Sequence, residues 1–268
     1  MARLAFEKYQ GLGNDFLVVD AASDALLEID RVRWLCDRHF GVGGDGVLIV
    51  APGESPGARA KMVVLNADGS RPEGCGNGLR CVALHLARAD ALGRGEYVID
   101  TDAGPRPARV ERDQDQALVT VGMGRGQVVG EHVARFRGRE QRFQRISMGN
   151  PHAVAFDTGY DEAALDELGP EVSKSLPGGA NVELATSVGE LRFDLVVWER
   201  GVGRTLACGT GAAATAVAAA LAGRAPLGVA LEVRLPGGPL EVTVQQDSLE
   251  VTIRGPARFV FSGEVRLE

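Results

Sequence analysis

Apolar and polar residues alternate with a period of two along much of this chain, and glycine-rich turns separate the alternating stretches. This pattern predicts half-buried strands joined by tight turns. Residues 229–268 continue the pattern and predict an antiparallel meander. The other predicted strands are LAFEKYQ and FLVVD around a Gly-Asn-Asp turn, GVLIVAP, AKMVVLNADGS, YVIDTDAG, PARVERD, ALVTVGMG, RFQRISMGNPHAVAF, ANVELATSV and LRFDLVVWERGVG.

Apolar residues at helical spacing occur in only a few stretches. In DRVRWLCDRHF, Asp30 is the predicted N-cap and Gly41 the predicted stop. Another helix is predicted in DEAALDELGPEVSKSL, and two more in EGCGNGLRCVALHLARA (73–89) and LACGTGAAATAVAAALA (206–222). Strands therefore dominate, with one central helix in each half, and the predicted fold class is α+β.

The last two helices begin with the same device, a Cys followed by Gly, a polar residue and Gly. Cys75 and Cys208 hold the same place in the two copies, about half the chain apart, and strands flank each copy. This arrangement predicts an internal duplication rather than a short-period repeat. We expect two similar, pseudo-symmetric lobes that face each other with both cysteines at the seam. The predicted lobes are residues 1–115, completed by 257–268, and residues 116–256.

Composition excludes several classes of function. The 268 residues carry a formal charge of −7 with no basic cluster, which disfavours a nucleic-acid partner. The apolar runs are too short or too interrupted to span a bilayer, and the N-terminal sequence lacks the apolar core of a signal peptide. Four cysteines in a chain of this length do not make a disulfide framework. We therefore expect a soluble cytoplasmic protein without a membrane partner.

Common cofactor and metal motifs do not account for the chain. GVGGDG (41–46) matches G-x-G-x-x-G, but the predicted helix precedes it and the strand follows, which favours a glycine turn over a dinucleotide site. No histidine and cysteine pair shows metal-ligand spacing, so no metal is expected. Cys81, among apolar residues of its helix, and Cys36 are more typical of core packing.

Cys75 and Cys208 are candidates for chemistry because each is placed at a predicted helix start. Free backbone N–H groups there favour an anion and can lower the pKa of a thiol from about 8.5 towards neutral pH. One such cysteine is compatible with a nucleophile, a redox thiol or packing. Two equivalent ones suggest inversion of a stereocentre, in which one group removes a proton and the other delivers one to the opposite face. The same N–H groups suit a substrate carboxylate.

Pyridoxal phosphate is the usual alternative route to an α-carbanion. The chain has only three lysines, Lys8, Lys61 and Lys174, and none lies in a recognisable cofactor motif. The sequence therefore favours a mechanism without a cofactor.

The ordered motifs GLGNDF, NADGS, CGNGLRC, GNPH, NVE, ERGVG and ACGTGAAA resemble those of the diaminopimelate epimerases and run over nearly the whole chain. The resemblance implies two pseudo-symmetric lobes, each a mostly antiparallel, β-barrel-like sheet around a central helix. It also implies cofactor-independent interconversion of LL- and meso-2,6-diaminopimelate for lysine and peptidoglycan precursors, and a homodimer.

Site residues follow from the resemblance. Cys75 and Cys208 match the catalytic cysteines. The helix-start residues Gly76, Asn77, Gly209 and Thr210 match those that hold the reacting carboxylate, and His152 and Glu199 match polar groups near the reacting centre. The residues that match the substrate-recognition positions, chiefly for the distal amino-acid end, are Asn14, Asn66, Asn150, Asn181 and Arg200. From their local sequence alone, Asn14 and Asn66 are equally typical of turns.

Three residues depart from the family pattern. Gly46 stands where Gln is common in the family, which predicts that one substrate contact is absent or water-filled. Arg71 and Arg204 stand where acidic residues are common.

Two alternative functions remain open. A proline or hydroxyproline racemase of the same fold is one alternative, although Asn66, Asn181 and Arg200 favour a substrate with a second amino-acid end. A thiol redox or amino-acid-binding protein is the other.

Overall fold

The computed structural model describes residues 2–22, 27–72 and 74–267, so Glu73 of the first cysteine motif lies outside the described residues. Contacts divide the chain into two compact units, which we call the N-terminal unit (Met1–Val121 with Gly255–Glu268) and the C-terminal unit (Gly122–Arg254). The boundary predicted at 115/116 lies in a turn, whereas the contacts divide the chain inside the strand that follows this turn.

The N-terminal unit is built from a sheet and two helices, α1 (Ile29–Cys36) and α2 (Gly76–Ala89). Its strands are β1 (Ala2–Gly11), β2 (Asn14–Asp20), β3 (Gly46–Ala51), β4 (Ala60–Asn66), β5 (Arg94–Asp100), β6 (Arg106–Asp113), the first part of β7 (Gln116–Arg125) and the last part of β16 (Glu250–Leu267). From β1 to β7 neighbouring strands pair in chain order, and β1 also pairs with β16. In this series the β2–β3 and β4–β5 pairs are parallel, and the β1–β2, β3–β4, β5–β6 and β6–β7 pairs are antiparallel, as is β1–β16.

The C-terminal unit contains helices α3 (Glu162–Ser175) and α4 (Gly209–Leu221). The strands that lie wholly in this unit are β8 (Gln127–Phe136), β9 (Arg139–Ser147), β10 (Pro151–Phe156), β11 (Asn181–Gly189), β12 (Arg192–Glu199), β13 (Gly203–Thr205), β14 (Ala230–Leu235) and β15 (Gly238–Val244). Parallel pairs join β10 to β11 and β12 to β14, and β13 pairs with β12. The β8–β9, β9–β10, β11–β12, β12–β13, β14–β15 and β15–β16 pairs are antiparallel.

The two units repeat one succession of elements. From β1 to β7 the pairings run antiparallel, parallel, antiparallel, parallel, antiparallel, antiparallel, and the path β9-β10-β11-β12-β14-β15-β16 follows the same order. α1 and α3 occupy equivalent places in the chain order, as do α2 and α4. The α+β fold class and the duplication predicted from the cysteine motifs are therefore confirmed.

Each unit has one helix buried on nearly every side, as expected for a helix at the centre of a sheet layer. α2 contacts β1 to β6, and its apolar residues from Leu79 to Ala87 are buried. α4 contacts β9, β10, β11, β14 and β15, and its alanines from Ala212 to Ala219 have no exposed surface. Small side chains let these strands approach the α4 backbone closely. The alanine-rich sequence therefore allows α4 to lie at the centre of the unit.

The predicted limits of α1 are wrong. The N-cap residue is Glu28, which has an extended backbone, and Asp30 lies in the first turn, where a carboxylate still interacts favourably with the helix dipole. The helix ends at Cys36 rather than near Gly41, because Oδ1 of Asp37 accepts the backbone N–H groups of the next residues and forms a turn. No helix among the described residues is both long and apolar enough to cross a membrane.

Candidate active site

Cys75 is the N-cap residue of α2. Its backbone is extended, and its Sγ accepts the backbone N–H of Gly78 at 3.3 Å. Gly76 and Asn77 form the buried first turn. The thiol therefore occupies the place of a serine or aspartate cap, at the backbone N–H groups of a helix start.

Asn77 connects this helix start to β2. Its Nδ2 donates to Oδ1 of Asn14 at 3.1 Å, and its Oδ1 accepts from Nη2 of Arg80 at 2.9 Å. The Arg80 side chain is completely buried, and its Nε donates to the carbonyl of Pro256 at 3.2 Å. Asn14 in turn donates to Oδ2 of Asp45 at 2.7 Å. The structure thus brings Asn14 and Asn77 together beside the Cys75 cap, with both side chains held by fixed partners.

Asn66 ends β4, where its Nδ2 donates to Oγ of Ser70 at 2.9 Å. Its cross-strand partner is Gly46, the position at which the sequence predicts a missing side-chain contact. A Cβ on Gly46 would lie 2.5 Å from the carbonyl oxygen of Leu65. The backbone of β4 therefore approaches Gly46 too closely for a Cβ, while the loss of a substrate contact at this position stays a prediction.

Cys208 repeats the arrangement at α4. Its Sγ accepts the backbone N–H of Gly211 at 3.3 Å and lies 3.4 Å from Oγ1 of Thr210, while Gly209 begins the helix. A Cβ on Gly211 would lie 3.3 Å from this sulfur and 2.9 Å from Oε1 of Glu183. Glycine at 211 is thus required by the close approach of both groups to the helix backbone.

The environment of Cys208 is acidic as well as buried. Burial raises the pKa of the Cys208 thiol well above its ordinary value, and the carboxylates of Glu199 and Glu183 raise it further. The hydrogen bonds from Thr210 and Gly211 act in the opposite direction but are smaller. Desolvation therefore outweighs the effect of the helix terminus on the pKa of Cys208.

Glu199, the last residue of β12, lies within hydrogen-bonding range of Cys208. Its Oε1 accepts from Oγ1 of Thr205 at 2.6 Å. Loss of solvent around the carboxylate raises the pKa of Glu199, and the bonds from Thr205 and Cys208 lower it by less. The raised pKa of each group favours its protonated form, and Glu199 is the carboxyl within hydrogen-bonding range of the Cys208 thiol.

His152 lies at the start of β10 with its side chain fully buried. Its Nδ1 is 2.6 Å from Oε1 of Glu183, and its Nε2 is 3.0 Å from Oδ1 of Asn150. Asn150 donates through Nδ2 to Oγ1 of Thr210 at 3.3 Å. The structure therefore brings three predicted residues, His152, Asn150 and Thr210, into one hydrogen-bonded chain next to Cys208.

Sequence reasoning missed Glu183. It belongs to the NVE motif, but an acidic residue in an alternating strand normally indicates the solvent face. Residues 181–185 of β11 are instead buried without alternation, and the Glu183 side chain has no exposed surface. The parallel pairing of β11 with β10 is typical of sheets buried on both faces and accounts for this burial, and the alternation pattern of the sequence does not indicate it.

Asn181 and Arg200 lie together where β11 begins and β12 ends. Oδ1 of Asn181 accepts the backbone N–H of Arg200 at 2.9 Å, and Nη1 of Arg200 donates to the carbonyl of Gly178 at 2.6 Å. A Cβ on Gly179 would lie 2.8 Å from Cδ of Arg200, so this turn packs directly on the arginine stem. Arg200 is exposed, and its guanidinium is accessible to a ligand.

The two arginines that stand where acidic residues are common both form ion pairs. Arg71 forms a bidentate pair with Asp102 at 2.6 and 2.9 Å. Arg204 forms a close pair with Glu162 and a second pair with Asp166 at 3.3 Å, which ties β13 to α3. Both arginines therefore have acidic partners on neighbouring elements.

The other two cysteines are buried in the N-terminal unit. Burial raises the pKa of Cys81 to about 12 and that of Cys36 to about 11. Both thiols therefore stay protonated near neutral pH. No group of three or more His, Cys, Asp or Glu residues in the described part of the chain is arranged to hold a metal ion.

Solved structures share this fold over nearly the whole chain. A hydroxyproline epimerase from Agrobacterium vitis superposes with a TM-score of 0.80 at 17% identity, covering 99% of this chain and 93% of that one. A protein described as a probable proline racemase from Agrobacterium radiobacter gives 0.81 at 15% identity with the same coverage. At these identities the likeness shows the fold alone.

The chain thus shares its duplicated fold with the hydroxyproline epimerase and the probable proline racemase, and its sequence gives the family. The diaminopimelate epimerase family model matches residues 6–129 and 145–260. The chain is 39% identical to a diaminopimelate epimerase of a Synechocystis species and 42% identical to one of a Synechococcus species, with at least 97% of each chain covered. A chloroplastic diaminopimelate epimerase of Oryza sativa subsp. japonica is 38% identical over 97% of this chain and 79% of its own length. The chain belongs to the diaminopimelate epimerase family.

Proposed function

We propose that this protein interconverts LL- and meso-2,6-diaminopimelate by proton transfer at one α-carbon, without a cofactor, for lysine and peptidoglycan-precursor synthesis. The supporting observation is the pair of cysteine caps, in each of which the sulfur accepts a backbone N–H of the first helical turn. Membership of the diaminopimelate epimerase family gives the substrate class.

In the proposed mechanism one thiolate removes the α-proton and the other thiol protonates the opposite face. Cys208 is the proton donor when Cys75 acts first as the base, because the nearby carboxylates favour the protonated form of Cys208. In the reverse direction Cys208 must lose its proton, and Glu199 is the group placed to accept it. Backbone N–H groups at Gly76, Asn77, Gly209 and Thr210 bind the substrate carboxylate, which gains charge as the carbanion forms.

The recognition of the distal amino-acid end is also proposed. Arg200 offers a planar fork to a carboxylate, and the asparagines Asn14, Asn66, Asn150 and Asn181 offer both donors and acceptors to a zwitterion. We further propose a cytoplasmic homodimer with no nucleic-acid or membrane partner, as the family resemblance implies. Light scattering after size-exclusion chromatography measures the oligomeric state.

The direct test is an assay in deuterated water with dialysed protein and no added cofactor. We expect LL-diaminopimelate to yield the meso isomer with deuterium at the inverted α-carbon, as measured by chiral chromatography and mass spectrometry. L-Proline and trans-4-hydroxy-L-proline serve as competing substrates. Faster inversion of either would favour the racemase alternative, whereas no exchange at any α-carbon would contradict an isomerase.

The two-thiol mechanism also predicts inactivation by oxidation. Two sulfurs that act on opposite faces of one carbon are close enough for a small movement to allow a disulfide. We expect activity to fall in air, to return with a reductant, and to correlate with a Cys75–Cys208 peptide in non-reduced mass spectrometry. A Cys36–Cys81 disulfide in the inactive protein, with Cys75 and Cys208 free, would show that this prediction is wrong.

A further inference from the structure

The fully buried carboxylate of Glu183 lies close to the Cys208 site. The Glu183 side chain is fully buried, and its Oε1 is 2.6 Å from Nδ1 of His152, which is also fully buried. Its Oε2 has no hydrogen-bond partner among the described residues. An ionised carboxylate in such a place requires an opposite charge or a strong donor, because its desolvation is very unfavourable. The imidazole of His152 is the group within reach.

Both ring nitrogens of His152 face acceptors. Nδ1 faces the Glu183 carboxylate, and Nε2 faces the amide oxygen Oδ1 of Asn150 at 3.0 Å. A neutral imidazole has only one N–H and would leave one of these contacts unsatisfied, whereas an imidazolium donates to both. The hydrogen-bond pattern therefore matches a positively charged ring paired with Glu183.

If His152 is an imidazolium, each hydrogen-bond donor in the chain is directed towards Sγ of Cys208. Asn150 accepts from His152 through Oδ1 and donates through Nδ2 to Oγ1 of Thr210 at 3.3 Å. Because this bond uses the Thr210 oxygen as acceptor, the hydroxyl hydrogen is available for Sγ of Cys208, 3.4 Å away. Gly211 supplies a second donor to the same sulfur. A sulfur that receives two donors is prepared to carry negative charge.

We propose that Glu183 is a positioning residue for the reaction, whose carboxylate holds His152 as an imidazolium and so fixes the direction of the hydrogen-bond chain that ends on Cys208. This inference rests on the proposed epimerase function. Besides Glu183, the ionisable groups near the ring are Glu199 on β12, Cys208 at α4, and Arg145 on β9, which lines the same small cavity as His152. The positive charge of the imidazolium offsets the negative charge of the Glu183 and Glu199 carboxylates, so that the Cys208 sulfur can ionise during turnover.

The substitution Glu183→Gln tests the proposal because it keeps the volume but removes the charge. Glu190→Gln is the matched control, since Glu190 lies exposed in the turn after the same strand. We expect kcat on diaminopimelate to fall by about 10-fold to 100-fold in Glu183→Gln, with little change in KM, because positioning rather than substrate contact is lost. The control should behave like the wild type. Equal kcat in the wild type and Glu183→Gln would overturn the proposal.

The pH dependence gives a readout that a purely structural role would not change. A carboxylate partner stabilises the charged form of an imidazole relative to the neutral form. In Glu183→Gln the remaining kcat should therefore decline with rising pH at a lower pH than the kcat of the wild type. An unchanged shape of the profile in the variant would contradict the imidazolium.

Nuclear magnetic resonance of 15N-labelled histidine tests the ring directly and needs no substrate. With four histidines in the chain, His152→Gln assigns the signal. We expect both ring nitrogens of His152 to be protonated at pH 8 in the wild type and one of them in Glu183→Gln. A neutral ring in the wild type would overturn the proposal. Failure of the wild type to invert diaminopimelate would instead contradict the proposed function and leave this spectroscopic test valid.

If Glu183→Gln does not fold, the paired variant Glu183→Gln with His152→Gln replaces both charges at once. Removing both partners of a buried ion pair is far less destabilising than leaving one charge unpaired. Recovery of folded protein in the pair would support the ion pair. A paired variant no more stable than Glu183→Gln alone would overturn it.

Discussion

Alanine in place of either Cys75 or Cys208 should abolish epimerisation while the fold stays intact. Each variant lacks either the base or the acid, and a positioned proton-transfer group contributes about 10²-fold to 10⁴-fold to rate. Each also lacks the sulfur that accepts from Gly78 or Gly211, and loss of an N-cap acceptor costs about 0.5–2 kcal/mol of stability. We therefore expect a lower melting temperature together with a rate below detection, measured with LL-diaminopimelate and with the meso isomer.

Serine variants separate the loss of activity from the loss of stability. A hydroxyl is a good N-cap but a much weaker base than a thiolate. Cys75→Ser and Cys208→Ser should therefore regain most of the stability but little of the activity. Cys36→Ala is the control, because Cys36 is buried in the core of the N-terminal unit and has no proposed part in the reaction. Near-native turnover in any single variant at 75 or 208 would exclude the two-thiol mechanism.

The fold could be predicted from the sequence to a large extent because its signals are local. Alternating residues mark the strands, and a Cys-Gly-x-Gly start followed by a small or apolar run marks each central helix. The limits of α1 could not be predicted as well. Asp30 is a better cap residue than Glu28 by preference, but the backbone conformation at Glu28 decides where the helix begins.

In the candidate site, too, some features could be predicted from the sequence and others could not. The capping positions of Cys75 and Cys208 follow from a short motif. The burial of Glu183, the close packing at Gly46 and the raised pKa of Cys208 depend on which strands pack around each position. Burial of β11 beside β10 is a property of the sheet pairing, which strand propensity does not specify. The protonation of buried groups therefore could not be predicted from the sequence, because it depends on this packing.

Arg200→Ala should cause the largest loss of substrate binding. We propose that the guanidinium binds the distal carboxylate of diaminopimelate, and loss of one partner from a charge-assisted pair of this kind costs about 2–5 kcal/mol. At 1.4 kcal/mol for each factor of ten, KM should rise by about 30-fold or more. kcat should also fall, because the α-carbon is no longer held in place between the proton-transfer groups. Arg234→Ala is the matched control, since Arg234 is an exposed arginine of the same unit that pairs with Glu232.

Arg200→Lys should recover only part of the loss, because an ammonium cannot present two parallel donors to a carboxylate. The packing of Gly179 on Cδ of Arg200 and the bond from Nη1 to the Gly178 carbonyl hold the guanidinium in one orientation, and a lysine would lack that support. Steady-state kinetics of both variants with LL-diaminopimelate provide the measurement. If kcat/KM in Arg200→Ala matches that of the wild type, the distal end is bound by other residues. Arg200 would then not distinguish a two-headed substrate from a one-headed one, and the racemase alternative would regain support.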